Sequence, residues 1–296
     1  MFLTDRAQHR VFQQFAPYRG WAEPGFERGY YGVHIRDWIY TGTSKGYTER
    51  RVVQVGHPTV DEEYFEWVAL LTAVANARDR VCVAELGAGW GRWITSAAVL
   101  CRQKGIACSL IGVEAEPSRF DLMKTVLRDN YIDPDDHDLL WAAVAASDGE
   151  VLLAGNQQRR EIYSHQIIQS DEEFEWRNIP GNVIRPVPAY SFQTVCAPHP
   201  FIDLVDIDVQ GAEYDVLAGS FDAVSWKIGI VHIGTHSREL ERSLTRLFRD
   251  LGWLNAFTYP SHSTVETGFG TVTFVDGVQT WVNPERPDLM TALVSG

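Results

Sequence analysis

The stretch Val81-Cys82-Val83-Ala84-Glu85-Leu86-Gly87-Ala88-Gly89-Trp90-Gly91-Arg92-Trp93 decides how this chain is read. Val81–Leu86 is a short apolar run with the length of a buried strand, and the glycines at 87, 89 and 91 let the backbone turn tightly at its end. Gly91–Lys104 then places Ile94, Ala97, Ala98 and Cys101 on one helical face, with Gly105 closing the helix. Strand, glycine turn and helix bring unpaired backbone N–H groups to the carboxyl end of a strand, where a ligand can be held. A dinucleotide fingerprint puts its third glycine at the sixth position. Here that position is Arg92 and the glycine is at the fifth, which disfavours a nicotinamide-dependent dehydrogenase.

Working outward, Ser109–Val113, Leu139–Ala146, Phe201–Ile207 and Lys227–Ile233 read as further strands. Between them, Pro117–Tyr131 aligns Phe120, Met123, Leu127 and Tyr131 on one helix face, and Ala212–Leu217 reads as a short helix. Ser237–Leu251 carries Leu240, Leu244, Leu247, Phe248 and Leu251 as an apolar stripe. After it come three short strands, Ala256–Tyr259, Thr271–Val275 and Val278–Val282, the last two expected to form a hairpin through Asp276-Gly277. Repeated βα units predict an α/β fold: a mostly parallel sheet with helices on both faces and an antiparallel C-terminal element. Upstream, Pro58–Val74 is helix-like, with Val60, Tyr64, Trp67, Val68, Leu71 and Val74 apolar.

The formal charge of −13 over 296 residues is unevenly placed. Residues 1–80 hold ten basic and ten acidic side chains, so the whole deficit lies in 81–296, which argues against a nucleic-acid partner. The acidic runs Asp133–Asp138 and Asp171–Glu175 read as solvated loops or helix starts. Cys82, Cys101, Cys108 and Cys196 show neither metal-ligand spacing nor a disulfide pattern, so a reducing cytoplasm is expected. The N-terminus has no apolar targeting core and no stretch approaches membrane-spanning length, so a soluble protein without a membrane partner is expected. Of 35 aromatics, 14 fall in the first 67 residues. Residues 1–57 are therefore read as an aromatic-rich cap before a domain at 58–296. Two readings of the cap stand: packing on the sheet edge, or Tyr30, Tyr31, Trp38 and Tyr40 walling a substrate pocket.

The glycine turn, preceded by Glu85 and followed by Glu114 at the end of the second strand, resembles the S-adenosylmethionine site of class I methyltransferases. A second match narrows this: Leu204-Val205-Asp206-Ile207-Asp208-Val209-Gln210-Gly211-Ala212-Glu213-Tyr214-Asp215-Val216-Leu217-Ala218-Gly219 is similar to the signature of FkbM-like methyltransferases, and Trp141–Val151 resembles that family's third strand and turn. Together the matches span roughly Val81–Val231. The resemblance implies a Rossmann-like class I methyltransferase with a mostly parallel seven-stranded sheet. It also implies S-adenosylmethionine-dependent O-methylation of a sugar, glycan or natural-product hydroxyl. It assigns cofactor contacts to Glu85, Gly87, Ala88, Gly89, Gly91, Glu114, Ala115, Ala143, Val144 and Asp206, and carries over Asp208 and Glu213. Glu114 would accept from both ribose hydroxyls, while Glu85 would organise the turn or receive the cofactor's ammonium group. Three positions depart from the family: Asp206 replaces a usual lysine, Tyr190-Ser191-Phe192 replaces Leu-Asp-Asp, and His232 stands where an acid is common.

Methyl transfer needs an acceptor oxygen held roughly 3–3.5 Å from the methyl carbon and a place for its proton. Asp208 is expected as base or orienter, with His232 and His236 as proton acceptors near neutral pH. Asp208 with either histidine could instead hold a divalent ion, and no metal is assigned. The segment 155–188 breaks the βα rhythm and contains Arg159, Arg160, Tyr163, His165 and Trp176, reading equally as a substrate lid or a surface insertion. A nucleotide-cofactor oxidoreductase and a non-catalytic S-adenosylmethionine-binding protein are the competing functions.

Overall fold

The computed structural model describes residues 8–156, 165–168 and 172–295. Its centre is a seven-stranded sheet of β1 (Arg80–Leu86), β2 (Ala107–Glu114), β3 (Asp138–Trp141), β4 (Ile202–Ile207), β5 (Ile228–Thr235), β6 (Leu254–Tyr259) and β7 (Gly277–Val282). The spatial order is β6-β7-β5-β4-β1-β2-β3, and only β7 runs antiparallel to its neighbours. This is the expected class I methyltransferase sheet.

Because successive side chains point to opposite faces, each strand feeds two cores. Val81, Val83, Leu204 and Ile230 join one, covered by helices α1 (Tyr64–Asn76), α2 (Arg92–Lys104) and α3 (Pro117–Asp129). Ala84, Val205 and Val231 join the other, covered by α4 (Glu213–Ala218) and α5 (Arg238–Asp250). The α5 stripe behaves as its spacing predicts: Leu240, Leu244 and Phe248 are buried, and Ser237 caps the helix by accepting from the Leu240 N–H at 3.2 Å. A last helix, α6 (Pro287–Val294), packs against α1. Among the described residues no helix is long and apolar enough to cross a membrane.

Two local expectations are corrected. The antiparallel C-terminal pair is β6 with β7; Thr271–Phe274 does not pair across Asp276-Gly277 but with Ser263–Glu266, in a separate two-stranded sheet. The local turn signal loses here because β7 is bordered on both sides, by β5 and β6. Leu139–Ala146 is not one strand: β3 ends at Trp141, and Ala143–Ala145 belongs to a second sheet. That sheet absorbs most of the interruption between β3 and β4. Gly149–Asn156 pairs antiparallel with both Gln166–Ile168 and Asn182–Ser191, and the latter ends parallel to Ala143–Ala145. Arg159, Arg160 and Tyr163 lie outside the described residues.

Residues 8–57 lie over α1 and reach α3. Phe12 and Phe15 are buried, Phe12 packs 5.2 Å from Tyr64, and Arg36 makes two hydrogen bonds to Asp129 at 2.6 and 3.0 Å.

Candidate active site

The chain order makes β1 connect towards β2 on one side while β4 lies on the other, so a crevice opens beyond the carboxyl ends of β1 and β4. The turn after β1 fills it closely. Gly87 has φ 81°, and a Cβ there would stand 1.9 Å from the Asp208 carbonyl oxygen. Only glycine fits this position. The Asp208 N–H returns a bond to the Leu86 carbonyl at 2.9 Å, tying the two strand ends together.

Two buried glutamates hold the turn. Glu85 Oε2 accepts from the Trp93 and Ile94 N–H groups at 3.1 and 3.0 Å, satisfying the first turn of α2. Burial pushes its carboxyl up to about 8 against the lowering effect of those bonds. Glu114 accepts from Gly89 N–H and Glu116 N–H, each at 2.7 Å. Both its oxygens thus already carry a backbone bond, and its remaining lone pairs are what a ribose would meet. Gly91 has φ 75° and opens α2; it lines neither cavity described below, and a side chain there would meet Met123, so packing rather than ligand contact explains it.

Two cavities meet at this turn. The first is lined by Gly87, Gly89, Glu114, Ala115, Ala143 and Val144, joined by Arg119, His165 and Ile167 from surrounding segments. The second, of about 270 Å³, is lined by Gly87, Ala88, Gly89, Glu85, Asp206 and Asp208 of the expected set. Its wall also brings Glu62, Glu63, Glu66 and Asp276, so seven carboxylates face Arg92 and His236. Gly87, Gly89, Asp208 and Gln210 border both cavities.

Asp208 sits at that seam. Its Oδ1 accepts from Gln210 Nε2 at 2.7 Å and lies 3.3 Å from His236 Nε2. Gln210 takes a left-handed φ of 56°, a strained backbone for a non-glycine residue and one often kept at functional turns. Glu213, wholly buried, closes this turn by accepting from Val209 N–H and Gly211 N–H at 3.1 and 3.0 Å, and lies 3.1 Å from His236 Nδ1. Burial acts to lower the His236 pKa, but the close carboxylates of Asp208 and Glu213 outweigh it and carry it up to about 10. His236 is therefore an imidazolium at neutral pH. That charge suits a partner that orients Asp208 rather than the proton acceptor expected from the sequence.

His232 is corrected as well. It is fully buried inside β5 rather than at its end, lines neither cavity, and is held neutral by burial, its pKa pushed down to about 3. Nor does it join Asp208. His236 groups with Asp208 and Glu213, whereas His232 groups with Asp206 and with Glu66 from α1.

The cap contributes unequally. Tyr30 stands edge-on to Trp67 and Tyr40 edge-on to Trp90, and with Arg92 they line a third cavity that shares Trp90 and Arg92 with the acidic one. Tyr31 is buried against Phe15 and Trp67, and Trp38 is partly exposed. Arg92 is held by both oxygens of Glu63. Glu62, Glu63 and Glu66 were not legible as site residues. At the start of a helix, acids are ordinary complements to its dipole, and only the packing of α1 over β4 turns Glu66 into the crevice.

A protein of Jannaschia sp. (strain CCS1) named "Putative methyltransferase" is 28% identical over 279 residues, covering 93% of this chain and 98% of its own. The crystal structure of Methyltransferase FkbM from Methylobacillus flagellatus KT aligns with a TM-score of 0.44 at 13% identity, covering 74% of this chain and 50% of that one. TrmK of M. capricolum, solved with S-adenosyl-homocysteine, aligns with a TM-score of 0.38 at 9% identity, covering 73% and 67%. The family model described as Methyltransferase FkbM domain matches residues 76–259, well over half of the chain. The chain belongs to the FkbM methyltransferase domain family.

Proposed function

We propose that this methyltransferase uses S-adenosylmethionine to methylate a hydroxyl of a sugar, glycan or natural-product small molecule. The observation that carries this is the meeting of two cavities at Gly87, Gly89, Asp208 and Gln210. One, with Glu114 at its edge and Ala115, Ala143 and Val144 in its wall, suits a nucleoside. The other, rich in carboxylates, suits the cationic methionine end and leaves room for an acceptor beside Asp208. Residues 58–296 form the methyltransferase domain in this reading, with 1–57 as a cap and 155–188 as an insertion that serves as a substrate lid.

The sulfonium charge vanishes as the methyl moves, so carboxylates packed on sulfur favour the reactant more than the transition state. Catalysis is better served by a carboxylate aimed at the acceptor hydroxyl. Asp208 fits that part: Gln210 and the His236 imidazolium orient it, and it takes the hydroxyl proton while His236 offsets its charge. A small-molecule or glycan acceptor, with no nucleic acid or membrane as partner, accords with the −13 charge. A cytoplasmic location accords with four free cysteines.

The test is a transfer screen with labelled S-adenosylmethionine against sugars, nucleotide sugars and polyketide glycosides, read by product mass and position. Asp208→Asn should lower turnover by about 10²–10⁴-fold, the usual worth of a general base, with cofactor affinity little changed. Binding of NAD(H) in place of S-adenosylmethionine, or full turnover in Asp208→Asn, would sink this reading.

A further inference from the structure

A row of polar side chains crosses the otherwise apolar sheet beneath the acidic cavity. Asp206 on β4 is the register partner of Glu85 on β1 and of His232 on β5, and His232 is in turn partnered by Thr280 on β7. These residues occupy the sheet face that packs against α1, alternating with Val83, Leu204 and Ile230. From α1, Glu66 reaches the same place, and one carboxylate oxygen each of Glu66 and Asp206 and a ring nitrogen of His232 lie within 4.8 Å of one another. His232 Nδ1 is 2.8 Å from Thr280 Oγ1, while its Nε2, fully buried, has no hydrogen-bond partner.

We propose that Glu66, Asp206 and His232 bind one divalent first-row transition-metal ion of the zinc or manganese type. Two carboxylates and one imidazole nitrogen balance the charge of such an ion and match its donor preferences, whereas magnesium and calcium favour all-oxygen shells. The histidine is prepared as a ligand is. In the tautomer that donates Nδ1–H to Thr280 Oγ1, Nε2 presents a bare lone pair, and the Nδ1 contact is the outer hydrogen bond that ligating histidines characteristically make. Glu66 and Asp206 line the acidic cavity, so the ion has a path in and its remaining positions face the acceptor space.

In the neighbouring trio Glu213 accepts two backbone N–H groups through Oε1, its buried Oε2 has no hydrogen-bond partner, and the charged ring of His236 lies between Asp208 and Glu213. That cluster carries its own cation. In the Glu66, Asp206 and His232 cluster the histidine is neutral, and the nearby guanidinium of Arg92, which acts on both carboxyls, is engaged by Glu63.

The site is tested without any methyl donor, so its failure and that of the methyl-transfer reading are separable. The EDTA-treated full chain is titrated with zinc chloride and with manganese chloride by calorimetry at pH 7.5. One equivalent should bind in the parent, be lost in Glu66→Gln and in Asp206→Asn, be weakened about 10–100-fold in Thr280→Val, and persist in His236→Ala. Circular dichroism checks that each variant is folded. In the unsubstituted protein, nitrogen-15 NMR should show zinc shifting Nε2 of one buried histidine, a reading that needs no variant. No stoichiometric binding, or an equivalent kept in Asp206→Asn and lost in His236→Ala, overturns the proposal.

Discussion

His236 makes a prediction whose size follows from its neighbours. Its ring nitrogens lie 3.3 Å from Asp208 and 3.1 Å from Glu213, and its pKa rises from 6.5 to about 10 in the folded chain. A group whose folded value is raised holds its proton more tightly in the native state. The stabilisation is therefore complete below the unfolded value and disappears as pH climbs through the folded one. The gap between 6.5 and about 10, at roughly 1.4 kcal/mol per pH unit, sets a ceiling of about 5 kcal/mol. Glu213 is fully shielded, but the Asp208 side chain is 40% exposed, and solvent screening of that half brings a realistic figure to about 2 kcal/mol. Replacing His236 with Gln removes the charge and keeps a polar side chain. In urea unfolding from pH 6.5 to 10.5, the parent should lose about 2 kcal/mol more than His236→Gln, or roughly 3–6 °C in melting temperature. Other groups also titrate over this range, so the difference between the two curves carries the result. Parallel curves, or an imidazole resonance that titrates near its ordinary value, would refute the reasoning.

Two more predictions concern the glycine turn. In Gly87→Ala the new methyl would meet the Asp208 carbonyl at 1.9 Å on a φ of 81°, so stability should fall by at least about 1–2 kcal/mol and S-adenosylhomocysteine binding should weaken; an unchanged urea midpoint and affinity would show that the two strand ends are not in contact. Glu85, pushed up to about 8 by burial, is roughly nine-tenths protonated at pH 7, and a cation beside the turn lowers its pKa, so binding S-adenosylmethionine should release close to one proton. Calorimetry in buffers of different ionisation enthalpy reads this release, and an identical value in Glu85→Gln would contradict it.

Much of the fold could be read locally. A six-residue apolar run at Val81–Leu86, a glycine turn and a stripe at 240, 244 and 248 are each local signals, and the structure keeps them. What failed had no local period. Ala143–Ala145 is a three-residue strand whose pairing is decided by Ala189–Ser191 across 46 positions, and Thr271–Phe274 finds Ser263–Glu266 rather than the strand beyond its own turn. The histidines show the same limit in chemical terms. His232 and His236 are four residues apart, yet one is kept neutral by burial alone and the other charged by two carboxylates. Nothing in HIGTH separates them, because the difference lies in Thr280, Glu213 and Asp208. Asp208 lies just past the end of β4 and borders both cavities, a position that strand order makes legible because ligands gather at strand ends, whereas Glu66 comes from a helix whose orientation the sequence does not state.

The second sheet has a consequence for how such a chain can vary. Ala143 and Ala189 are register partners in adjacent parallel strands, so everything between them departs from and returns to points about one strand spacing, ~4.8 Å, apart. A segment anchored in this way can be lengthened, shortened or exchanged without dragging β3 or β4 out of register. The entropic toll is small, since doubling a loop adds only about 0.6 kcal/mol. The wall of the cavity lined by Glu114 and Ala143 is thus mechanically uncoupled from the sheet that carries Gly87 and Asp208. Grafting and domain-exchange experiments have a natural cut here, with both seams inside hydrogen-bonded strands.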